Sequence, residues 1–413
     1  MNQLFIPLYI DPGTGSMLFS ILIGAAATLF FLGKALILKI KLFFSAGKGG
    51  VKADASYKPY VIYCEDKRYW TVFKPVVDEF ESRKIHLTYY TSAKDDPIFN
   101  QSYEFVEADY IGEGNMAYAK LNMLTAGIVM MTTPGLNVYQ LKRSKNVRHY
   151  CHIFHSTGDP TMYRLFGIDY FDSILLTGDY QEEDIRTLEK QRGLKAKELV
   201  TVGCTYLDVL QERIASIPQE ENHQFTVLVS PSWGPGALLS LYGEKILDPL
   251  VESGFKIILR PHPQSKKSES ELLARLEERY KDVPNIEWDY ERDNIKKKKK
   301  ADIMISDFSG IIYDYTFLCD KPIMYANAEL DLRLYDAYDI DKQIWQFATV
   351  EKIGIKIEEK DFSNIKTIIQ NAADSAELAA ERQKAKDEAW MYRGEAGKRT
   401  ADFMIKVVNE LEK

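Results

Sequence analysis

Short apolar runs alternate with segments of helical spacing along most of this chain. The runs PYVIYCE and IHLTYYTS have the length and composition of buried strands, and YWTVFKPVVDEFESRK between them repeats its apolar residues with the period of an amphipathic helix. The alternation continues with the helix AYAKLNMLT, the strands GIVMMTT, RHYCHIFH and SILLTG, and the helix DYQEEDIRTLEKQRG. Strands that alternate with helices form parallel sheets covered on both faces. The pattern therefore predicts an α/β fold.

A second set of alternating segments follows the charged stretch ERIASIPQEENHQ. It contains the strands FTVLVSPS, FKIILRPHP and NIEWDY, two helices, and the stretch ADIMISDFSGIIYDYTFLCDKPIMYAN, after which only helices are predicted. We expect two facing Rossmann-like doubly wound domains at residues 58–215 and 216–374, followed by C-terminal helices at 375–413. Ligands of such open sheets bind beyond the carboxyl ends of the strands, so the cleft between the domains is the expected site.

The amino terminus carries an apolar segment of a different kind. Between Leu4 and Gly33 the only charged residue is Asp11, and about 20 apolar residues suffice to cross a hydrocarbon core of about 30 Å. Basic residues follow this segment and none precedes it, which favours a membrane anchor over a signal peptide and places the domains in the cytoplasm. We expect a single-pass protein of the cell membrane, with an extracytoplasmic leader at 1–16, a transmembrane helix at 17–40 and a basic linker at 41–57.

Composition narrows the class of function. The formal net charge of −7 argues against a general nucleic-acid-binding protein, because such proteins carry a basic excess. The four cysteines lie far apart in apolar surroundings and form no CxxC pair, which argues against a disulfide framework or a zinc site. They are Cys64, Cys151, Cys204 and Cys319. We expect buried thiols in a reducing compartment and predict no metal site.

The stretch ADIMISDFSGIIYDYTFLC joins a predicted strand, DIMIS, to a predicted helix, GIIYDYTFLC. Its corner holds Ser306, Asp307, Ser309 and Gly310, where the strand ends and the helix begins. Unpaired backbone N–H groups and the positive end of the helix dipole make such a place suitable for an anion such as phosphate. A simpler interpretation is that Ser306, Asp307 or Ser309 only caps the helix.

A second strand end carries groups that suit phosphate. In IILRPHP, Arg260 and His262 directly follow the strand and therefore lie on the same rim of the predicted sheet. Arginine offers a fixed positive charge with several donors, and histidine can donate to a phosphoryl oxygen. The alternative is that Arg260 pairs with a carboxylate and His262 packs on a turn.

Three histidines occur at a spacing of three in RHYCHIFHSTGDP. On a strand His149 and His155 share a face but lie about 20 Å apart, and His152 points to the other face, so the three cannot form one metal site. His155 stands at the end of the strand beside the predicted cleft, where it can act as a general base toward a hydroxyl. Ser156 and Thr157 follow it directly. We predict structural roles for His149 and His152.

Five consecutive lysines, Lys296 to Lys300, precede the DIMIS strand. They can contact anionic lipid headgroups or an anionic polymer. The interpretation that the composition favours is a solvated helix end, since like charges need little more than water. The sequence leaves both interpretations open.

The segments FHSTGDP, LRPHP and ISDFSGIIYDYTFLCDKPIMY together resemble the CDP-glycerol glycerophosphotransferase family, the teichoic-acid primases and polymerases with a GT-B-like fold. The resemblance spans roughly residues 60 to 400. Two positions depart from the family pattern. Phe154-His155-Ser156 stands where the family usually has Trp-His-Gly, and Gly310 stands where it often has a second serine.

The resemblance implies roles for the residues identified above. His155 matches the proposed base of the family. The groups that match the surroundings of the donor pyrophosphate are Arg260, His262, Ser306, Asp307, Ser309 and Gly310, with Ser156, Thr157 and Asp314 as secondary candidates. Only a backbone contact is expected from Gly310, because glycine has no side chain.

The expected reaction is attack of an acceptor hydroxyl on the β-phosphorus of a CDP-linked polyol, with CDP-glycerol as the first candidate and CMP as the leaving group. The expected acceptor is a lipid-linked or envelope glycan at the membrane, and no cofactor is expected beyond the CDP-linked donor. Two alternatives remain. One is a GT-B glycosyltransferase that uses a nucleotide sugar, because facing Rossmann-like domains serve many donors. The other is a non-catalytic membrane-anchored scaffold that binds a nucleotide or an anionic polymer.

Overall fold

The computed structural model describes residues 57–218, 223–291, 293–326 and 331–413. The predicted leader at 1–16, the predicted transmembrane helix at 17–40 and the predicted basic linker up to residue 56 lie outside the described residues. Among the helices in the described ranges, none is long and apolar enough to cross a membrane.

The first sheet uses strands from the amino-terminal half of the described chain. They are β1 (Lys58–Cys64), β2 (Leu87–Thr91), β3 (Val106–Tyr110), β4 (Ala126–Met131), β5 (Val147–Ile153), β6 (Ser173–Leu176) and β7 (Glu198–Thr201). All pair in parallel, in the order β3-β2-β1-β4-β5-β6-β7. Strand β4 is buried along its whole length, as expected in a parallel sheet that is covered on both faces.

The second sheet follows in sequence. Its strands are β8 (Thr226–Val229), β9 (Lys256–Leu259), β10 (Ile286–Trp288), β11 (Ile303–Ser306), β12 (Ile323–Ala326) and β13 (Gly354–Ile357). They are again parallel, in the order β10-β9-β8-β11-β12-β13. The strand order reverses between β8 and β11, so their carboxyl ends form the natural ligand crevice of this sheet.

Helices connect the strands and cover both sheets. They are α1 (Trp70–Ser82), α2 (Asn115–Leu121), α3 (Glu182–Arg192), α4 (Thr205–Ala215), α5 (Leu238–Glu252), α6 (Ser265–Ser268), α7 (Ser270–Tyr280), α8 (Ile295–Lys300), α9 (Ile311–Cys319), α10 (Trp345–Ile353), α11 (Ile365–Asp374), α12 (Ala376–Ala389) and α13 (Ala396–Leu411). Short 3₁₀ helices lie at Lys67–Tyr69, Pro97–Asn100, Pro160–Met162, Asp179–Gln181, Leu332–Leu334, Asp336–Asp339 and Glu359–Asn364. Helix α3 ends at Gly193 in the left-handed conformation (φ 61°), as the sequence predicts.

The predicted α/β fold with parallel sheets is confirmed. The prediction that only helices follow residue 327 is wrong, because β13 extends the second sheet beside β12. Strand β12 lies within the stretch 301–327, where the pattern identifies only the strand DIMIS and the helix GIIYDYTFLC. Both strands have four residues, too few for hydrophobic period to separate a strand from a helix. The pattern also predicts neither β3 nor β7, whose residues are mostly half-buried at the sheet edges. The domain boundaries at 215/216 and 374/375 stay predictions, and residues 57–413 pack as one compact unit.

Each sheet carries an apolar layer on both faces. In the first sheet, Phe73 of α1 packs on one face with Ile62, and Tyr63 belongs to the cluster on the other face. In the second sheet, Leu247 and Phe317 lie in the two opposite clusters. Close packing on both faces makes each sheet a rigid platform, so the residues at the strand ends are held in fixed positions.

The C-terminal helices return to the first sheet. Helix α12 packs on α9 and α10 of the second sheet, and α13 then packs on α1 of the first. Phe403 and Met404 of α13 join the apolar cluster beneath α1. Between the two helices, the indole N–H of buried Trp390 donates to Asp208 at 2.9 Å. The tail therefore connects the two sheets.

Candidate active site

His155 lies just beyond the carboxyl end of β5, near the centre of the first sheet. The preceding Phe154 is buried, whereas His155 is half-buried. Its Nδ1 lies 3.4 Å from the hydroxyl oxygen of Thr132, which follows β4. The Tyr69 ring packs beside the imidazole, with ring centroids 5.2 Å apart. The imidazole is therefore held at the rim of the sheet by neighbours on two other elements.

The loop after His155 is held by both sheets. The phenol of Tyr180 donates to the carbonyl oxygen of Thr157 at 2.6 Å. Asp159 accepts the backbone N–H of Trp345 at 2.8 Å. Since Trp345 begins α10, which leads into β13, this bond fixes the loop relative to the second sheet.

Helix α9 of the second sheet begins directly after the corner that follows β11. Gly310 precedes it with φ −61°, an ordinary helical value, and no side chain caps the helix. Within the described part of the chain, the N–H groups of Gly310 and Ile311 have no hydrogen-bond acceptor. Unpaired N–H groups at the positive end of a helix dipole suit an anion.

A cavity of about 240 Å³ lies between His155 and the start of α9. Its walls are Arg68, Tyr69, Val72, His155, Ser156, Thr157, Gly158, Tyr206, Gly310, Tyr313 and Asp314. It therefore brings together two main predicted site residues, His155 and Gly310, and all three secondary ones. Sites for whole drug-sized ligands measure about 300–1,000 Å³, so this volume suits the reacting phosphates rather than a complete nucleotide.

The electrostatic surroundings of His155 favour its neutral form. Burial lowers the pKa of His155 below its ordinary value, and the positive charge of Arg68 lowers it further. The Asp314 carboxylate acts in the opposite direction and raises that pKa. The net change is downward, so the ring is neutral near pH 7 and can accept a proton.

Two donors hold Asp314 in the cavity wall. The Tyr206 hydroxyl lies 3.2 Å from Oδ2, and the Lys298 ammonium lies 3.1 Å from the same oxygen. Neither donor belongs to α9, so the carboxylate is positioned by α4 and α8 together.

The side chains of Ser306 and Asp307 stabilise the loop after β8. Ser306 is fully buried and donates its hydroxyl to the carbonyl oxygen of Ser230 at 2.6 Å. The Asp307 carboxylate accepts the backbone N–H groups of Ser232 at 2.9 Å and Leu238 at 3.0 Å. No described side chain caps α9, so the predicted capping role is wrong for these two residues. Donor binding by Ser306 and Asp307 stays a prediction, and in this structure both side chains are engaged with the loop.

Ser309 is the corner side chain that remains available. Its backbone N–H donates to Asp307 at 3.2 Å. Its hydroxyl is half-buried and makes no hydrogen bond with any described residue. With Gly310, which is exposed, it forms the part of the corner that a ligand can reach.

Arg260 and His262 lie beyond the end of β9, and neither is among the residues that line the cavity at His155. Arg260 forms an ion pair with Asp289 at 2.5 Å. His262 Nδ1 accepts the backbone N–H of Gln264 at 3.1 Å, and its ring stacks near Trp233 with centroids 6.3 Å apart. These are the contacts of the alternative interpretation, a carboxylate pair and a turn. Their contact with a donor stays a prediction.

Residues 182–399, more than half of the chain, match the family CDP-glycerol:poly(glycerophosphate) glycerophosphotransferase. The chain belongs to this family. The resemblance and the class of enzyme expected from the sequence are thereby confirmed. The matched part contains Arg260, His262 and the corner before α9, whereas His155 precedes it.

Solved structures with a similar fold include the wall teichoic acid polymerase TagF, with 14% identity and a TM-score of 0.57 over 95% of this chain and 99% of that chain. A putative UDP-N-acetylglucosamine 2-epimerase from Listeria monocytogenes has 12% identity and a TM-score of 0.55 over 86% of this chain and 97% of that chain. The UDP-GlcNAc 2-epimerase from Neisseria meningitidis has 12% identity and a TM-score of 0.54 over 85% of this chain and 100% of that chain. At such identities the likeness establishes the fold alone, and it agrees with the predicted GT-B-like arrangement. No curated protein matches the chain.

The other two histidines of the β5 strand have structural partners in this glycerophosphotransferase. His149 Nε2 lies 2.8 Å from the hydroxyl oxygen of Ser173. His152 is fully buried, with Nε2 at 3.1 Å from the Tyr163 hydroxyl, and burial lowers the pKa of His152 to about 3. Both arrangements agree with the structural roles that the sequence predicts.

Four cavity residues carry no sequence signal of their own. They are Arg68, Tyr69, Tyr206 and Tyr313. Arg68, Tyr69 and Tyr206 lie outside the three quoted motifs, and Tyr313 lies among the apolar residues of the helix after the corner, so only the folded chain assigns these four side chains to the site. In the ranges that the structure describes, no cluster of histidine, cysteine and carboxylate side chains could hold a metal ion. All four cysteines are free thiols, and Cys64, Cys151 and Cys204 are buried.

Proposed function

We propose that this family member transfers a polyol phosphate, with glycerol phosphate as the first candidate, from a CDP-linked donor to a hydroxyl of a cell-envelope glycan or teichoic-acid-like acceptor, with release of CMP. The observation that carries the proposal is the cavity that is lined both by His155 of the first sheet and by Gly310 at the uncapped start of α9 in the second sheet. The family assignment supports the CDP-linked donor and the glycerophosphoryl group.

His155 would act as the general base. The acceptor hydroxyl oxygen attacks the β-phosphorus, its proton passes to the neutral imidazole, and the bond from the β-phosphorus to the bridging oxygen breaks. The electron pair of that bond leaves with CMP. Because Nδ1 lies beside Thr132, we assign Nε2 as the nitrogen that takes the proton.

The start of α9 would hold the donor pyrophosphate. The N–H groups of Gly310 and Ile311 and the Ser309 hydroxyl are the available donors, and Arg68, which also lines the cavity, adds a positive charge. Phosphoryl transfer is catalysed mainly by positioning and electrostatic stabilisation, so the proposed step uses no cofactor beyond the CDP-linked donor.

We also place the protein at the cytoplasmic face of the cell membrane. The apolar segment at residues 17–40 would anchor it as a single-pass protein, and the basic residues that follow favour the cytoplasmic side for residues 57–413. An anchor would raise the effective concentration of a lipid-linked acceptor at the cavity.

The test is incubation of the purified full-length protein with a panel of CDP-polyols and nucleotide sugars, with and without membrane extract, while nucleotide release is measured. CMP release from CDP-glycerol is the expected result. His155→Ala should retain donor binding and lose transfer by about 10²- to 10⁴-fold, as expected for a lost general base. His86→Ala, at an exposed histidine outside the cavity, is the matched control and should be unaffected.

Other outcomes would replace the proposal. Release of UDP, or of CMP from a CMP-sugar but from no CDP-polyol, would assign a nucleotide-sugar glycosyltransferase. Donor binding without turnover, together with a His155→Ala variant that is silent in cells, would assign a membrane-anchored scaffold. Unaltered turnover in His155→Ala would remove the assignment of the base.

A further inference from the structure

Helix α8 consists largely of the lysine run and directs its lysines to different places. Lys296 is exposed. Lys297 pairs with Glu287, and Lys299 donates to carbonyl oxygens at the end of α4. Lys298 points inward, and only 1% of its side chain is exposed. The run is therefore more than the solvated helix end that its composition suggests.

Burial makes the Lys298 ammonium costly unless it is paired. Its Nζ donates to Asp314 Oδ2 at 3.1 Å, inside the protein. A buried ion pair often stabilises no more than apolar side chains of similar size would, so stability alone does not account for a lysine here. The partner of this ammonium is a carboxylate in the wall of the cavity.

Asp314 lies between Lys298 and the base. Its Oδ2 accepts from both Lys298 and Tyr206, and its carboxylate lines the cavity with His155. An unpaired carboxylate would act on His155 with its full negative charge. A carboxylate that is paired with an ammonium acts largely as a dipole, whose effect falls off faster with distance.

We infer that Lys298 is a positioning residue for the reaction proposed above, because it holds the Asp314 carboxylate in the cavity wall and partly neutralises its charge, which keeps the His155 base neutral. The inference rests on the proposed role of His155. Lys298 is not among the residues that line the cavity, so it acts through Asp314 and not on the substrate.

Other groups around His155 also contribute to its electrostatic surroundings. Arg68 and Tyr69 face it from the α1 side, His152 and Tyr163 from the first sheet, and Asp314 from α9. Tyr206 and Lys298 both donate hydrogen bonds to the Asp314 carboxylate. Of these groups, Lys298 is the one that pairs with Asp314 without itself lining the cavity.

The primary test compares Lys298→Met with Lys296→Met in the full-length protein. Methionine keeps an unbranched side chain and removes the charge, and Lys296 lies on the same helix but is exposed. The His155 ring is titrated by NMR, with its signal assigned from His155→Gln, and kcat/KM for CMP release is measured against pH. In Lys298→Met, the His155 pKa and the acidic limb of the profile should both rise by about 0.5–1 pH unit. Lys296→Met should move neither.

Asp314→Asn tests the same coupling with the opposite sign. Removal of the carboxylate takes away the negative charge near His155, so the pKa of His155 should fall. If Lys298→Met does not fold, Asp314→Asn tests the inference in its place. The melting temperature of each variant is recorded, because a purely structural role would lower it without moving the titration of His155.

An unchanged or lowered His155 pKa in folded Lys298→Met, or an unchanged pKa in Asp314→Asn, would overturn the inference. The NMR titration needs no turnover. If the wild-type protein releases nucleotide from none of the donors, the proposed function fails while the titration still decides the role of Lys298.

Discussion

His155 can serve as a base only when its imidazole is neutral. Burial and Arg68 lower its pKa, and Asp314 offsets part of that effect. A falling pH protonates the ring as it passes through the lowered pKa, whereas a rising pH above that value leaves the ring unchanged. The base is therefore available across the neutral range.

The downward shift of the His155 pKa predicts how the rate depends on pH. We expect the decline of kcat/KM for CMP release on the acidic side to have its midpoint below about pH 6.5, the ordinary pKa of histidine. A pH-rate profile of the wild-type protein between about pH 5 and 8 measures this. A midpoint above pH 6.5 would contradict the lowered pKa of His155.

Gly310 contributes its backbone to the cavity. A Cβ at this position meets no described heavy atom within 4 Å, and φ of −61° suits any residue. A larger side chain is therefore compatible with the fold, but it would stand beside the N–H groups at the start of α9. A serine there can itself hydrogen-bond a phosphate, whereas a valine only covers the donors.

We predict that Gly310→Val weakens CDP-glycerol binding by about tenfold or more, which corresponds to about 1.4 kcal/mol, and that Gly310→Ser stays near the wild-type value. Calorimetric titration with CDP-glycerol measures both affinities. Unchanged melting temperatures would show that the backbone accepts either residue. Equal affinities in the two variants would argue against a phosphate site at the start of α9.

At the scale of elements, the corner between β11 and α9 has one residue that stabilises the fold and another that is available to a ligand. Asp307 faces the loop between β8 and α5 and accepts backbone N–H groups from Ser232, Leu238 and Ser309. Burial raises the pKa of Asp307, although these donors act to lower it. The Ser309 hydroxyl, in contrast, makes no hydrogen bond with a described residue. One residue thus maintains the corner and the other is open to a ligand.

We predict that Asp307→Ala lowers the free energy of unfolding by about 2–3 kcal/mol, because buried N–H groups lose their acceptor. Ser309→Ala should leave stability unchanged and weaken donor binding. Urea unfolding and calorimetric titration of both variants separate the two effects. A comparable loss of stability in Ser309→Ala would show that its hydroxyl also supports the corner.

At the scale of the whole molecule, Arg192 joins the two halves of the chain. Its guanidinium, at the end of α3, donates to Asp169 at 2.8 Å and to Asp336 and Asp339 at 2.7 Å each. The Asp336 side chain is fully buried and also accepts the backbone N–H of Phe166 at 2.8 Å. Asp336 and Asp339 lie between β12 and β13, so this cluster fixes a segment of the second sheet against the first.

We predict that Arg192→Met lowers the free energy of unfolding by about 3–5 kcal/mol, because it leaves the Asp336 carboxylate buried without its cation. Lys190→Met, at an exposed lysine on the same helix, should change stability by no more than about 0.5 kcal/mol. Thermal and denaturant unfolding measure both. The kcat of Arg192→Met should also fall, since a looser contact between the halves misplaces His155 relative to α9.

Short-range patterns in the sequence were sufficient for the α/β class, for most strands and helices, and for the placement of His155 at a strand end and Gly310 at a helix start. The hydrophobic period and the residues at the ends of elements are local properties, so they can be recognised in the sequence without knowledge of the fold. Strands β12 and β13 were not predicted, because a segment of four residues is too short for the hydrophobic period to separate a strand from a helix.

Long-range packing determined which polar side chains face the cavity. Tyr206 and Asp314 meet although 108 residues separate them, and Lys298 turns inward among lysines that the sequence cannot tell apart. Ser306 has a hydroxyl that could donate to a phosphate, yet it donates to the carbonyl oxygen of Ser230, and Asp307 accepts backbone N–H groups of the same loop. The direction of a side chain depends on which distant segment packs against it, and that contact exists only once both sheets have formed.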